Sequence, residues 1–136
     1  MKRKILIIDD EENIIDTLKY RLELEENLEV KSETNPIKAI ELIEKEKFHI
    51  VLTDIMMPEM DGITLLKKIK EIDGLIQVII MTGFTTTEKA IECLNAGAND
   101  YILKPFDDLE EIVKLLNYSI EKLNRWDEIV KKSFKR

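Results

Sequence analysis

Several residue types are scarce in this chain, and each scarcity excludes a class of protein. The 136 residues include one cysteine, Cys93, so no internal disulfide can form and a disulfide-stapled secreted domain is excluded. No apolar run approaches the roughly 20 residues of a membrane helix, and the apolar run near the N-terminus is too short for a signal peptide. With one histidine, His49, the chain also lacks a Cys/His metal-binding pattern. We therefore expect a cytoplasmic protein.

The charge of the chain is one-sided. Acidic residues outnumber lysine and arginine by 28 to 21, and the net charge of −7 argues against nucleic acid or an anionic membrane as the main partner. Residues 124–136 depart from this trend, because five basic and two acidic residues give them +3 against −10 for the rest. The length and the 44% hydrophobic content fit one self-sufficient domain.

Five short apolar runs alternate with amphipathic segments along the chain. The runs lie at residues 5–8, 28–30, 50–52, 78–81 and 101–103. Several are rich in isoleucine and valine without polar alternation, which is typical of parallel strands covered by helices on both faces. Right-handed crossovers then predict an α/β fold, a (βα)5 doubly wound parallel sheet of five strands in the flavodoxin-like order 2-1-3-4-5.

Two of the predicted helices have clear sequence signals at their ends. Asn35 followed by Pro36 combines a preferred N-cap with a preferred first helical residue. Thr85 and Glu88 have the spacing of a capping box, which predicts that the fourth helix begins there, and Gly97 is the expected stop.

The last helix is too long for a domain of this size. Leu109, Leu116, Leu123 and Val130 recur every seven residues, with no glycine or proline between them. We expect one folded domain over residues 1–123 and a helical extension over 124–136. The extension resembles a short coiled coil, through which two copies could pair, or a connector to an absent output domain. A frayed, exposed tail is the alternative.

Five polar residues follow the predicted strands. Asp9 and Asp10 come after the first, Asp54 after the third, Thr82 after the fourth and Lys104 after the fifth. Because ligands of open parallel sheets bind at the carboxyl ends of the strands, we expect these side chains to share one pocket.

This set of side chains predicts a particular chemistry. Three neighbouring carboxylates repel one another unless a cation joins them, and Mg²⁺ prefers oxygen ligands and phosphate. An aspartate beside Mg²⁺, a lysine and a threonine is suited to attack phosphorus. The chain has no Walker A motif, no GxGxxG fingerprint and no Ser/His/Asp set, so we predict a phosphoryl acceptor, not a nucleotide-binding kinase.

The same residues stand in motifs that resemble the receiver domain of two-component response regulators. The resemblance covers roughly residues 2–123. It depends on the paired Asp9 and Asp10, "DIMMPEMDG" around Asp54, "MTG" around Thr82 and "DYILKPF" around Lys104. It implies a signalling switch and not a turnover enzyme, with the phosphohistidine of a sensor histidine kinase as donor and Asp54 as acceptor.

The resemblance also assigns roles within the pocket. It implies that Mg²⁺, with Mn²⁺ as a substitute, is held by Asp9, Asp10, Asp54 and the backbone carbonyl of Met56. Thr82 and Lys104 then bind the phosphoryl oxygens, and the Lys104–Pro105 peptide bond is cis. By the same resemblance Thr82 and Tyr101 form the switch that changes the face of helix 4, strand 5 and helix 5, which partners contact.

Three further expectations concern neighbouring residues. Met56 and Phe84 are apolar at positions that, in the family, flank the path of the hydrolytic water, which predicts slow self-dephosphorylation. Glu11 and Glu12 are expected in or before the first turn of helix 1, where negative charge suits the helix dipole, with no metal role. His49 lies in a strand-like run and is expected to be structural.

Two other functions remain open at this point. A phosphatase or hydrolase with an Asp nucleophile could use a similar sheet, although such enzymes usually place a second Asp two residues after the nucleophile, where this chain has Met56. A flavodoxin-like cofactor module would need a phosphate-binding loop after strand 1, where the chain is acidic.

Overall fold

The computed structural model describes residues 2–83 and 86–134. Strands and helices alternate along the chain as the apolar runs predict. The elements are β1 (Arg3–Ile8), α1 (Glu12–Leu22), β2 (Leu28–Glu33), α2 (Pro36–Lys45), β3 (Ile50–Asp54), α3 (Gly62–Ile72), β4 (Gln77–Thr82), α4 (Thr87–Asn95), β5 (Asp100–Leu103) and α5 (Leu109–Phe134). All pairings are parallel, and the strand order β2-β1-β3-β4-β5 confirms the predicted fold.

The sheet lies between two apolar layers. Because side chains of a strand alternate between its faces, Ile5 and Ile7 of β1 pack with residues of α1 and α5, whereas Leu6 and Ile8 pack with residues of α2 and α3. The central strands β3 and β4 are buried along their whole length, which explains why their sequences show no polar alternation.

The helix caps confirm one prediction and correct another. Asn35 caps α2, since its Oδ1 accepts hydrogen bonds from the backbone N–H of Ile37 at 2.8 Å and of Lys38 at 3.4 Å. The N-cap of α4 is Thr86, whose Oγ1 accepts from the N–H of Lys89. The capping box that we expected from Thr85 is therefore wrong by one residue, and Thr85 itself lies outside the described residues.

The end of α4 matches the prediction. The helix stops at Asn95, and Gly97 follows with a φ of 100°, a left-handed conformation that glycine adopts without steric cost.

Helix α5 is one continuous helix of 26 residues. Leu116 and Leu123 are buried against the sheet. The buried Arg3 of β1 donates from Nη2 to Asn124 Oδ1 at 2.6 Å and to Asp127 Oδ2 at 2.9 Å. Contacts between helix and sheet therefore continue to Asp127, four residues past the boundary that we predicted.

Beyond these contacts α5 is exposed. Its apolar side chains Ile129 and Val130 lie about half in solvent there, at 45% and 41%. No helix in the described part of the chain combines the length and the apolar character needed to span a bilayer.

Candidate functional site

Polar side chains meet at the carboxyl edge of the sheet. Asp9 directly follows β1, Asp54 is the last residue of β3, Thr82 is the last of β4, and Lys104 directly follows β5. β1, β3, β4 and β5 are successive neighbours in the sheet, so the fold alone brings these four residues to one place.

Lys104 is the centre of this arrangement. Its Nζ lies 2.6 Å from Asp9 Oδ2 and 2.9 Å from Asp54 Oδ2. The other oxygens of the two carboxylates accept backbone hydrogen bonds, Asp9 Oδ1 from Glu11 N–H and Asp54 Oδ1 from Met56 N–H, each at 2.9 Å. Both aspartates are therefore fixed in orientation by the turn that follows their strand and by the same ammonium group.

Burial sets the electrostatics of this pair. Asp9 is fully buried, and loss of hydration raises the pKa of its carboxyl above the ordinary value despite the hydrogen bond from Lys104. Burial acts to lower the pKa of Lys104, but its hydrogen bonds to Asp9 and Asp54 outweigh burial and the pKa is raised. Lys104 is thus held as a cation in the pocket.

The pocket contains more negative charge than one lysine balances. Carboxylate oxygens of Asp9, Asp10, Glu11 and Asp54 all lie within 4.8 Å of one another. This donor set fits a hard divalent cation such as Mg²⁺, which prefers carboxylate oxygens. Sequence reasoning placed Asp10 here but assigned Glu11 only to the start of helix 1, since a residue beside a helix N-terminus already has a reason to be acidic.

Comparison with known proteins agrees with this geometry. The sequence profile described as the response regulator receiver domain matches residues 5–117. The chain belongs to this family. Receiver domains are signalling switches of two-component systems that receive phosphate from histidine kinases and bind Mg²⁺ at an acidic pocket. The match favours this class over the phosphatase that the sequence had left open.

Curated relatives of this receiver are regulatory proteins. It is 37% identical over 118 residues to the regulatory protein AtoC of Escherichia coli, covering 87% of this chain and 25% of that protein. It is 37% identical over 133 residues to YesN of Bacillus subtilis, an uncharacterized transcriptional regulatory protein, covering 96% and 36%. The chain thus spans well under half the length of these two relatives.

Solved receivers share the whole fold. A CheY-like receiver domain protein from Methanospirillum hungatei has a TM-score of 0.87 at 31% identity, with 92% of this chain and 98% of that chain covered. The beryllofluoride-activated NtrC4 receiver domain, described as a dimer, has a TM-score of 0.82 at 28% identity, with coverages of 88% and 98%.

The two predicted switch residues lie on neighbouring strands, Thr82 at the end of β4 and Tyr101 within β5. Thr82 is fully buried, and its backbone carbonyl accepts a hydrogen bond from Lys104 N–H at 2.9 Å. Tyr101 packs on the core and lines a cavity of about 300 Å³ with Cys93 and Leu94 of α4. Its buried hydroxyl has no hydrogen-bond partner among the described residues.

Three sequence expectations concern the loops around the pocket. Met56 is 57% exposed directly beside Asp54, whereas Phe84 lies outside the described residues. The Lys104–Pro105 bond is cis, as the resemblance implied. The structure places Met56 N–H on the carboxylate of Asp54.

Proposed function

We propose that Asp54 accepts a phosphoryl group from the phosphohistidine of a sensor histidine kinase, in a reaction that needs Mg²⁺ or, as a substitute, Mn²⁺. The observation that carries this proposal is the position of Lys104 Nζ, 2.9 Å from Asp54 and 2.6 Å from Asp9. A fixed ammonium beside a nearly buried carboxylate can follow the charge that moves onto phosphoryl oxygens during transfer.

In this proposal the residues of the pocket divide the work. Asp9, Asp10, Asp54 and the backbone carbonyl of Met56 would hold the cation, which would supply positive charge for the phosphoryl oxygens. An oxygen of Asp54 forms the new bond to phosphorus while the bond from phosphorus to the histidine nitrogen breaks. Lys104 and the hydroxyl of Thr82 then donate to the phosphoryl oxygens.

The test is uptake of a phosphoryl group by the purified chain. Incubation with Mg²⁺ and acetyl phosphate is expected to add the mass of one phosphoryl group, and Asp54→Asn is expected to add none. Asp16→Asn, an exposed change on α1, is the matched control and should behave as wild type. The assignment is wrong if Asp54→Asn gains the group as fast as wild type.

We further propose that the phosphoryl group on Asp54 changes the face formed by α4, β5 and α5 through Thr82 and Tyr101. This face carries apolar side chains that are half exposed or more, Ile91, Leu94 and Leu103, and such side chains suit a protein partner. Because the relatives are regulatory proteins longer than this chain, the partner is a downstream protein or a fused output domain. Hydrogen exchange of α4 with and without beryllofluoride tests the change; identical protection would argue against it.

The extension is proposed as a coiled coil or connector, through which two copies can pair. The exposed side chain of Val130 continues the seven-residue pattern past Asp127, the last contact of α5 with the sheet. Sedimentation with and without phosphorylation tests pairing, and a monomer in both states would exclude it.

A further inference from the structure

Glu11 occupies an unusual place at the start of α1. It is the N-cap residue, where a short side chain such as Ser or Asp normally accepts a hydrogen bond from the first turn. Its backbone carbonyl accepts the N–H groups of Ile14 and Ile15, but its side chain makes no capping hydrogen bond. The carboxylate of Glu11 is therefore not used by the helix that it begins.

That carboxylate faces the acidic pocket instead. Its oxygen lies within 4.8 Å of ligand oxygens of Asp9, Asp10 and Asp54. The backbone supports this position, because Glu11 N–H donates to Asp9 Oδ1 at 2.9 Å. Among the described residues, the side chains of Asp10 and Glu11 have no hydrogen-bond partner, whereas both oxygens of Asp9 and Asp54 are engaged.

The charge balance of the pocket depends on Glu11. Four carboxylates and the ammonium of Lys104 give a net charge of −3, so a divalent cation leaves −1. Without Glu11 the same group carries −2, which a divalent cation neutralises. Glu11 thus adds attraction for the cation and leaves a negative charge that an incoming phosphoryl group must approach.

We propose that Glu11 is a fourth carboxylate of the cation site, which strengthens binding of the divalent cation and opposes binding of the phosphoryl anion. The inference rests on the proposed function, since it concerns the same pocket. It assigns a role in the balance between cation and phosphoryl affinity to a residue that the sequence motifs leave out.

Calorimetric titration with Mg²⁺ at low ionic strength tests whether Glu11 strengthens cation binding. Glu11→Gln removes the charge and keeps the shape, and we expect Mg²⁺ affinity to fall about tenfold. Glu12→Gln is the matched control, since Glu12 is exposed like Glu11 but lies outside the cluster. A change under about twofold is expected for it. Equal affinities for the two variants would overturn the proposal.

Beryllofluoride binding at saturating Mg²⁺ tests whether Glu11 opposes binding of the phosphoryl anion. Because the remaining negative charge is gone, Glu11→Gln is expected to bind this phosphoryl analogue several-fold more tightly than Glu12→Gln. Equal or weaker binding would refute the opposing effect of Glu11. Thermal unfolding of both variants without Mg²⁺ checks that they remain folded. Glu11→Asp keeps the charge and should therefore retain most of the Mg²⁺ affinity.

The two proposals fail in different ways. If Asp54→Asn leaves Mg²⁺ affinity unchanged, or wild type binds no Mg²⁺, the proposed function fails. If Asp54→Asn weakens Mg²⁺ binding but Glu11→Gln does not, the cation site stands and only the role of Glu11 is wrong.

Discussion

The two ends of the sheet differ in how their buried charges are balanced. At the carboxyl end four carboxylates lie together, the Lys104 ammonium pairs with two of them, and burial raises the pKa of Asp9. At the amino end Arg3 meets Asp127, and its hydrogen bond lowers the pKa of that carboxyl. In the second arrangement the two charges balance each other, and the ion pair stabilises the fold. The first has an excess of negative charge, and the proposed binding of a divalent cation there depends on this excess.

The largest expected effect follows from removing the ammonium of Lys104 at the carboxyl end. Lys104→Met takes the ammonium from Asp9 and Asp54, and we expect phosphoryl acceptance from acetyl phosphate to slow on the order of 100-fold, as when one charge-stabilising donor is lost. Timed intact-mass measurements give the rate. Lys114→Met, an exposed change on α5, should leave it unchanged, and a similar loss there would mean that the position of Lys104 is not what matters.

Removing the guanidinium of Arg3 at the amino end should lower stability and leave the phosphorylation rate unchanged. Arg3→Met loses the bonds to Asn124 and Asp127, and we expect the free energy of unfolding to fall by about 1–2 kcal/mol. Urea denaturation measures this free energy. The control is Arg125→Met, which changes an exposed arginine on α5. The phosphorylation rate of Arg3→Met should stay at the wild-type level; a fall comparable to that of Lys104→Met would end the distinction between the two ends.

The family resemblance predicts that Met56 and Phe84 slow hydrolysis of the phosphoryl group. Replacing Met56 and Phe84 together by small polar residues is expected to shorten the half-life of the phosphoryl group severalfold, because water then reaches Asp54 more easily. Loss of the phosphoryl group after removal of the donor, followed by intact mass, measures the half-life. An unchanged half-life would exclude this role for the pair.

The smallest effect concerns pH and His49 at the amino end. His49 Nδ1 accepts a hydrogen bond from Lys4 N–H at 2.9 Å, and burial lowers the pKa of the imidazole below its ordinary 6.5. The unfolded chain therefore takes up a proton first, so this contribution to stability is complete above about pH 6.5 and declines as the pH falls through the folded pKa. His49→Asn keeps an acceptor without titrating there, and its stability should change less over this range; equal slopes would contradict the assignment.

Sequence patterns predicted most of the fold because the signals are local. Apolar runs and caps such as Asn35 are read within a few residues. Strand β2 was predicted only to residue 30, although it continues to Glu33, because an edge strand carries charged residues that hide its pattern. Thr85 and Thr86 offer the same hydroxyl, so sequence could not choose between them.

Pairings across the chain were beyond sequence reasoning. Asp127 interrupts the apolar stripe of the last helix and is explained only by Arg3, which is 124 residues away and buried. Likewise, Glu11 looked sufficient as a helix-start residue until the fold brought its carboxylate to Asp54. The motif residues at the carboxyl end were predictable because parallel strands of this order must end at one edge.

The most direct test is to locate the phosphoryl group and its dependence on a cation in one experiment. The wild-type chain is incubated with acetyl phosphate in Mg²⁺ or in EDTA, and peptide mapping by mass spectrometry identifies the modified residue. A single phosphoryl group on Asp54, formed in Mg²⁺ and absent in EDTA, is the predicted result. Modification of another residue, or equal uptake in EDTA, would contradict the account of the carboxyl end as a cation-dependent acceptor site.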